Sequence, residues 1–459
     1  MGSETIAGPW RRPRRRAGVA TFLSMLWPGL GQWYAGRPLA AVLQAIPVAI
    51  VLLVVAIFVQ GDIQRLAIQL FDPGTALAML ALVVLLGVWR IVSMVHAHVA
   101  AGGRSALRGG SLAALAVLVA IAIGGHAIAA SVALDFYEAG SRIFVADPLT
   151  PGPAATPDPA VTPAPGVTPG PATPSPAPQS NRINVLLTGV DSSSIRSHSL
   201  TDTLIVVSID PDTGAVAMVS FPRDIARFPL WDGRRFNGKI NELMTYAAAR
   251  PKQFPDGGIG TVTRELGFLL GIDIDYYAAI NLDGFERLID EVGGVTIVND
   301  RAINDPAYGG WHDGRVGFHL PAGTHHLDGA TALAYARSRK GAGDNDFTRA
   351  RRQQQLLVAL RKRLTEPAML PRLSGVLDAA SRTVSTNFPP GRLSEMLDVS
   401  ERINDDAIRR YVLGPPYAKH PPTSSTGGIY TLALDMDRLA KLSIDLFGDD
   451  SRYAQLGSG

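Results

Sequence analysis

Residues Asp346-Phe-Thr-Arg349-Ala-Arg-Arg352-Gln353-Gln354, preceded by Tyr335-Ala-Arg337-Ser-Arg339-Lys340, carry the strongest signal in the chain. On a helix, side chains three and four apart share a face, which lines up Asp346, Arg349 and either Arg352 or Gln353. The run Ala332–Ala336 reads as a strand, so Arg337 and Arg339, two apart, fall on one face of an extended segment. Planar guanidiniums grip phosphate oxygens bidentately. A converging set of them beside a carboxylate points to a pyrophosphate and its metal. The bland alternative for such a charge run is a solvated basic helix.

Outward from this stretch, residues 182–448 alternate between two periodicities. Strand-like runs are Ile183–Val190, Thr203–Ile209, Val216–Phe221, Tyr276–Leu282 and Val295–Val298, besides Ala332–Ala336. Helix-like runs are Ile240–Ala249, Gly260–Leu270, Leu282–Val292, Phe347–Leu364 and Asp435–Phe447. This alternation predicts an α/β domain with a mixed central sheet and helices on both faces. Residues 449–459 read as a polar tail.

The N-terminal third differs in kind. Residues 1–16 form a basic arm with Arg11, Arg12, Arg14, Arg15 and Arg16. Across 17–136, three apolar runs (Leu39–Gln60, Ala76–Ala100 and Leu112–Leu134) are each long enough to span a hydrocarbon core of about 30 Å. Arg90 interrupts the second and is expected to snorkel from near its cytoplasmic end. Val19–Tyr34, broken by Pro28, Gly29 and Gly31, reads as a re-entrant or interfacial piece, with a fourth span as the alternative. The arm and the loop with Arg104 and Arg108 are more basic than the loop with Arg65, Asp62 and Asp72. The positive-inside rule then puts the arm in the cytoplasm and, with three spans, the rest of the chain outside.

Residues 137–181 read as a linker, and twelve prolines fall within 148–178. Such a segment favours extended polyproline II and at ~3.1 Å per residue makes a stalk. The chain has no cysteine, which excludes disulfides and thiol chemistry. A net charge of +3 gives no argument for nucleic acid.

Polar residues follow several strands, where α/β sheets usually place ligands. Asp191 ends one strand and Asp202 opens the next, so the two could share one Mg²⁺, with Mn²⁺ as an alternative. Pro222-Arg223-Asp224 follows a third strand, and Gly238-Lys239-Ile240-Asn241 starts a helix. Singly, a strand-end Asp is more often a cap, and Arg223-Asp224 more often a surface ion pair. His96 and His98, two apart on a helix, diverge. His325 and His326 are expected at the surface.

Taken together, Asn184-Val-Leu-Leu-Thr-Gly-Val-Asp191, Asp202-Thr203, Ser220-Phe-Pro-Arg-Asp224, Lys239-Ile-Asn241, Gly293-Gly-Val295 and Leu327-Asp-Gly329 through Gln353 resemble the LytR-CpsA-Psr family of cell-envelope glycopolymer transferases. The resemblance implies transfer of a glycopolymer from a polyprenyl-pyrophosphate carrier to a peptidoglycan hydroxyl, by a domain anchored outside the cell membrane. It implies that the lipid tail lies in an apolar pocket of the α/β domain. It assigns Asp191 and Asp202 to Mg²⁺, and Arg223, Arg337, Arg339 and Arg349 to pyrophosphate, with Lys239 close by. Asp224, Asp346, Arg352 and Gln353 would organise the site, and Asp346 is a candidate base. The catalytic set is then Arg223, Asp224, Asp346 and Arg349. Leu200 stands where many members carry Arg, and Arg196 is the substitute at hand. Asp344 competes with Asp346 for its role, but Asp346 has the right spacing to Arg349. A polyprenyl-pyrophosphate phosphatase and a non-catalytic lipid-binding regulator are the other readings.

Overall fold

The computed structural model describes residues 16–59, 67–102, 108–145, 181–191 and 200–456, and the chain divides into two units, 1–140 and 141–459. Most of the basic arm, the proline-rich linker and Arg196 lie outside the described residues.

In the first unit, α1 (Ala17–Leu26) and α2 (Leu30–Tyr34) precede three long helices, α3 (Pro38–Val59), α4 (Pro73–Gly102) and α5 (Gly109–Ile143). These three are long and apolar enough to cross a membrane. Helix α5 runs to Ile143, beyond the expected start of the linker at 137. Trp27-Pro28-Gly29 breaks α1 from α2, with Gly29 at φ 107°, a region that favours glycine. A Cβ on Gly31 would fall 2.0 Å from the Ala20 carbonyl oxygen, so α2 folds tightly back on α1.

Buried polar side chains fasten this short pair to α4. Gln32 Nε2 donates to Ser93 O (2.8 Å) and Ser93 Oγ (3.0 Å), and Ser24 Oγ donates to Gln32 Oε1. Thr21 Oγ1 and His98 Nδ1 share a 2.6 Å hydrogen bond. In apolar surroundings an unpaired polar group is costly, so such pairs act as fasteners. Arg90 corrects an expectation: it does not lie toward a helix end but donates from mid-α4 to Met25 O, one of the last carbonyls of α1.

The second unit is built on a six-stranded mixed sheet. Its strands are β1 (Ile183–Asp191), β2 (Leu200–Ile209), β3 (Val216–Ser220), β6 (Tyr276–Asn281), β11 (Val384–Thr386) and β12 (Arg409–Val412), in the order β11-β6-β1-β2-β3-β12. Strands β1, β2 and β3 are antiparallel, while β6 joins β1 and β12 joins β3 in parallel. Two-residue alternation divides the side chains between the faces. Leu204, Val206, Ala217 and Val219 pack on α7 (Gly257–Leu270) and α13 (Met436–Phe447). Ile205, Ile209, Val216 and Met218 pack on α10 (Asp346–Leu364) and α12 (Leu393–Arg402).

Smaller elements flank the sheet. β4 (Ala226–Pro229) pairs with β5 (Arg235–Lys239), followed by the short α6 (Leu243–Ala248). β7 (Val295–Asn299) pairs with β10 (Gly323–Leu327), and β8 (Ile303–Asp305) with β9 (Phe318–Leu320). These pairs, with α8 (Leu282–Glu291), α9 (Gly329–Arg337) and α11 (Leu373–Thr383), surround a second apolar cluster.

The structure overturns one strand. Ala332–Ala336 lies inside α9, where Asp328 caps the first turn by accepting from Thr331 N at 2.8 Å. Alanine-rich sequence is a strong helix former, and residues 332–336 are buried on every side, which erases the periodicity that would have marked a helix. The chain also does not fray after Phe447. Ser451 is buried, and Tyr453 Oη donates to Leu269 O at 2.9 Å.

Glu265, fully buried in α7, accepts one backbone hydrogen bond, from Trp231 N at 3.3 Å. Burial pushes its carboxyl up to about 8. Above the ordinary carboxylate range the unfolded chain ionises while the folded one stays protonated, so stability falls as pH rises toward 8 and levels off beyond it. Glu265→Gln should remove a slope of about 1.4 kcal/mol per pH unit between pH 5 and 8. Urea unfolding of both chains at pH 5.5 and 8.5 checks this: an unchanged difference between the two pH values rejects it.

Candidate functional site

The site forms where the N-terminus of α10 meets the ends of the sheet strands. Asn345 caps α10 by accepting from Phe347 N (3.0 Å) and Thr348 N (2.9 Å). This cap sets Asp346 in the first turn and Arg349 one turn on. A single oxygen, Asp346 Oδ1, meets three guanidiniums: Arg349 Nη2 at 3.1 Å, Arg339 Nη1 at 3.6 Å and Arg223 Nε at 3.9 Å. Arg223 follows β3, and its neighbour Asp224 takes Lys239 Nζ at 2.5 Å from the end of β5. The structure therefore brings Arg223, Asp224, Lys239, Arg339, Asp346 and Arg349 into one cluster.

Arg337 closes α9 and Arg339 lies two residues past it. They are not on one extended face as expected from the sequence. What aims them is Asp305, a buried residue at the end of β8. Its Oδ2 accepts from Ser338 Oγ (2.9 Å), Arg339 N (3.1 Å) and Lys340 N (3.0 Å). Sequence reading missed Asp305, since a lone Asp before Pro306 carries no local mark of a partner more than thirty residues away.

Arg352 and Gln353 stand one step back. Arg352 donates to Ser338 O and pairs with Asp344 Oδ2 at 3.4 Å. Burial pulls its guanidinium below the ordinary value, although Asp344 opposes this. Asp344 also takes Arg301 at 2.8 Å, so Asp344 belongs to the supporting pair and Asp346 to the arginine cluster. Gln353 donates to Ala336 O at 3.3 Å and braces the end of α9. Gln354, also missed, is fully buried and stitches α10 to the sheet through Ser220 Oγ (2.8 Å) and Tyr411 O (2.9 Å). Burial pushes the Tyr335 phenol up to about 12, and its hydroxyl donates to Gln355 Oε1 at 2.7 Å.

Behind the cluster lies a cavity of about 620 Å³, within the usual range for small-molecule pockets. Leu187, Ile280, Phe285, Leu333, Leu356 and Leu360 are among its apolar wall, and Arg223, Arg337, Arg339, Lys340 and Arg349 are its cations. Among the described side chains here, six cations (these five and Lys239) face three carboxylates, Asp224, Asp305 and Asp346. With Asp191 and Asp202, whose backbone stands at the same end of the sheet, cations still outnumber carboxylates by six to five, and a net positive mouth favours an anionic group.

Asp191 and Asp202 are placed by backbone register alone. Asp191 pairs with Leu200 and Val190 with Thr201, with an irregularity beside Gly189. Both aspartates thus stand at one end of the β1–β2 pair, the end whose Gly189 and Thr203 line the cavity. Among the described residues no cluster of three or more metal-ligating side chains occurs.

The chain is similar to several known proteins. Over 206 residues the chain is 32% identical to a Halalkalibacterium halodurans protein named polyisoprenyl-teichoic acid–peptidoglycan teichoic acid transferase TagU, covering 45% of this chain and 60% of that one. It is 28% identical over 262 residues to biofilm regulatory protein A of Streptococcus mutans, covering 56% and 61%. The chain thus spans less than two thirds of the length of these relatives. The crystal structure of B. subtilis TagV aligns at 25% identity and a TM-score of 0.47, covering 59% of this chain and 97% of that one. The family model that matches residues 168–446, more than half of the chain, takes in the sheet, the arginine cluster and the cavity together, and by it the chain belongs to the LytR_cpsA_psr family.

Proposed function

We propose that the protein is a membrane-anchored phosphotransferase that moves a glycopolymer from a polyprenyl-pyrophosphate carrier to a peptidoglycan hydroxyl. The observation that carries this reading is the junction of an apolar cavity with three guanidiniums gathered on one carboxylate oxygen. An isoprenoid tail suits the cavity, and a pyrophosphate suits its cationic mouth. The relatives named as teichoic acid transferases support the same donor and acceptor. In this reading the three apolar helices make the anchor, and the positive-inside pattern of the sequence supports a domain outside the cell.

The chemistry is an exchange of P–O bonds. The acceptor hydroxyl oxygen bonds to the phosphorus that bears the sugar. The bond from that phosphorus to the bridging oxygen breaks, and polyprenyl phosphate leaves. Arg223, Arg339 and Arg349 hold the non-bridging oxygens and the charge growing on the leaving group. Arg337 and Lys239 add positive field. Asp346 keeps the guanidiniums in register and is the candidate to take the hydroxyl proton. Arg352 and Gln353 hold the backbone that carries Arg337 and Arg339. Asp191 and Asp202 would hold Mg²⁺, which when bound neutralises pyrophosphate charge. No nucleotide is needed, because the anhydride stores the energy.

The test uses the full chain in detergent with a polyprenyl-pyrophosphate saccharide and a peptidoglycan oligomer, read by mass spectrometry. A saccharide-phospho-peptidoglycan adduct that needs Mg²⁺ is expected, and Arg223→Ala should lower turnover about 10²-fold or more. Release of phosphorylated saccharide without an adduct would instead establish a phosphatase, and lipid binding without turnover a regulator. In the same assay Asp305→Ala should lower kcat/KM for the donor on the order of tenfold, while Asp305→Asn, whose amide oxygen still accepts, should recover most of it. Equal loss in both variants would remove Asp305 from its positioning role.

A further inference from the structure

The proposed reaction brings three groups to one phosphorus, and the cavity and arginines account for two of them. The third, the acceptor sugar, must approach Asp224 and Asp346 from outside the cavity. One exposed segment is tied directly to that spot. Leu432 N donates to Asp224 O at 2.8 Å, Ala226 N donates to Leu432 O at 2.9 Å, and Ile225 and Leu432 form a parallel bridge. The residues just before Leu432 are Ile429, 61% exposed, and Tyr430, 54% exposed.

Tyr430 is exposed yet held. Its ring lies 4.6 Å, centroid to centroid, from that of His420. The Thr431 carbonyl, 3.3 Å from His420 Nδ1, can only accept, so Nδ1 carries the proton. The bare Nε2 then accepts from the Tyr430 hydroxyl at 3.2 Å. Partial burial, with the negative charges of Asp224 and Asp346 next, raises the Tyr430 hydroxyl above its ordinary value. Neither Tyr430 nor His420 lines the cavity.

A rigid exposed ring with a polar edge has little entropy to lose on binding, and it presents a flat apolar face to a partner. A pyranose ring has the matching surface, with axial C–H groups on its face and hydroxyls around its rim. We infer that Tyr430, braced by His420, is the platform on which a sugar of the acceptor glycan stacks, so that its hydroxyl is delivered beside Asp224 and Asp346. The inference rests on the transferase reading for its setting, but the binding it asserts is separate from turnover.

The experiment measures binding of a defined peptidoglycan oligosaccharide to the full chain in detergent by saturation-transfer NMR, and the acceptor KM in the adduct assay. Tyr430→Phe keeps the ring and should retain both, while Tyr430→Ala should weaken binding and raise the acceptor KM about tenfold, with the donor KM within about twofold of the parent. Thermal unfolding checks that the variants fold. If the parent cleaves donor but forms no adduct, the transferase reading fails, while glycan binding that depends on the Tyr430 ring would still uphold the platform. Wild-type acceptor binding in Tyr430→Ala, an equal change in the donor KM, or no glycan binding by the parent would overturn it.

Discussion

One carboxylate oxygen holds the centre of this domain together. Two like charges 4 Å apart repel by about 4 kcal/mol at an effective dielectric constant of 20. Arg223, Arg339 and Arg349 come from three separate parts of the chain and would separate without an anion among them. Asp346 Oδ1 supplies that anion, one negative charge set among three positive ones. The shortfall of negative charge is what a phosphate group would correct.

Helix α10 joins this electrostatic arrangement to the apolar cavity. Its first turn carries Asp346 and Arg349, and the positive end of its dipole adds to the field there. Two turns later, Leu356 and Leu360 enter the cavity wall and the second apolar cluster, while Leu357 and Val358 face the sheet. One rigid element therefore sets the distance between the polar head site and the apolar chamber. Gln354 fixes it to β3 and β12, and the Arg352–Asp344 pair fixes it to the segment carrying Arg339. Removing Asp344 would strand the buried Arg352 charge at a cost of about 3–5 kcal/mol, whereas Asp344 without Arg352 keeps Arg301.

The N-terminal unit uses a different economy. Its long helices expose apolar side chains, and its few buried polar groups occur where α1 and α2 meet α4. Gln32, Ser93, Thr21 and His98 satisfy one another across helices, and Arg90 occupies a carbonyl at the end of α1. A segment broken by Pro28 and Gly29 cannot satisfy its own backbone ends, so another helix supplies the donors.

Local periodicity and residue type determined the three apolar helices, β1 to β3, the long helix after Asn345, and the residues Arg223, Asp224, Lys239, Asp346 and Arg349 as a candidate set. Each of these depends on interactions within a few positions along the chain, or on a motif that keeps its order. Tertiary structure decided the rest. It made Ala332–Ala336 a helix, because a segment buried all round shows no face. It placed β7 in a small pair of its own with β10, although its sequence resembles that of a strand of the main sheet. It gave Asp344 partners of its own, Arg352 and Arg301, which nothing in the local sequence marks. It recruited Asp305 and Gln354, whose partners lie from 33 to 134 residues away. Hydrogen bonds at that range leave no trace in local sequence, since the geometry that makes them exists only once the sheet and its flanking helices have packed.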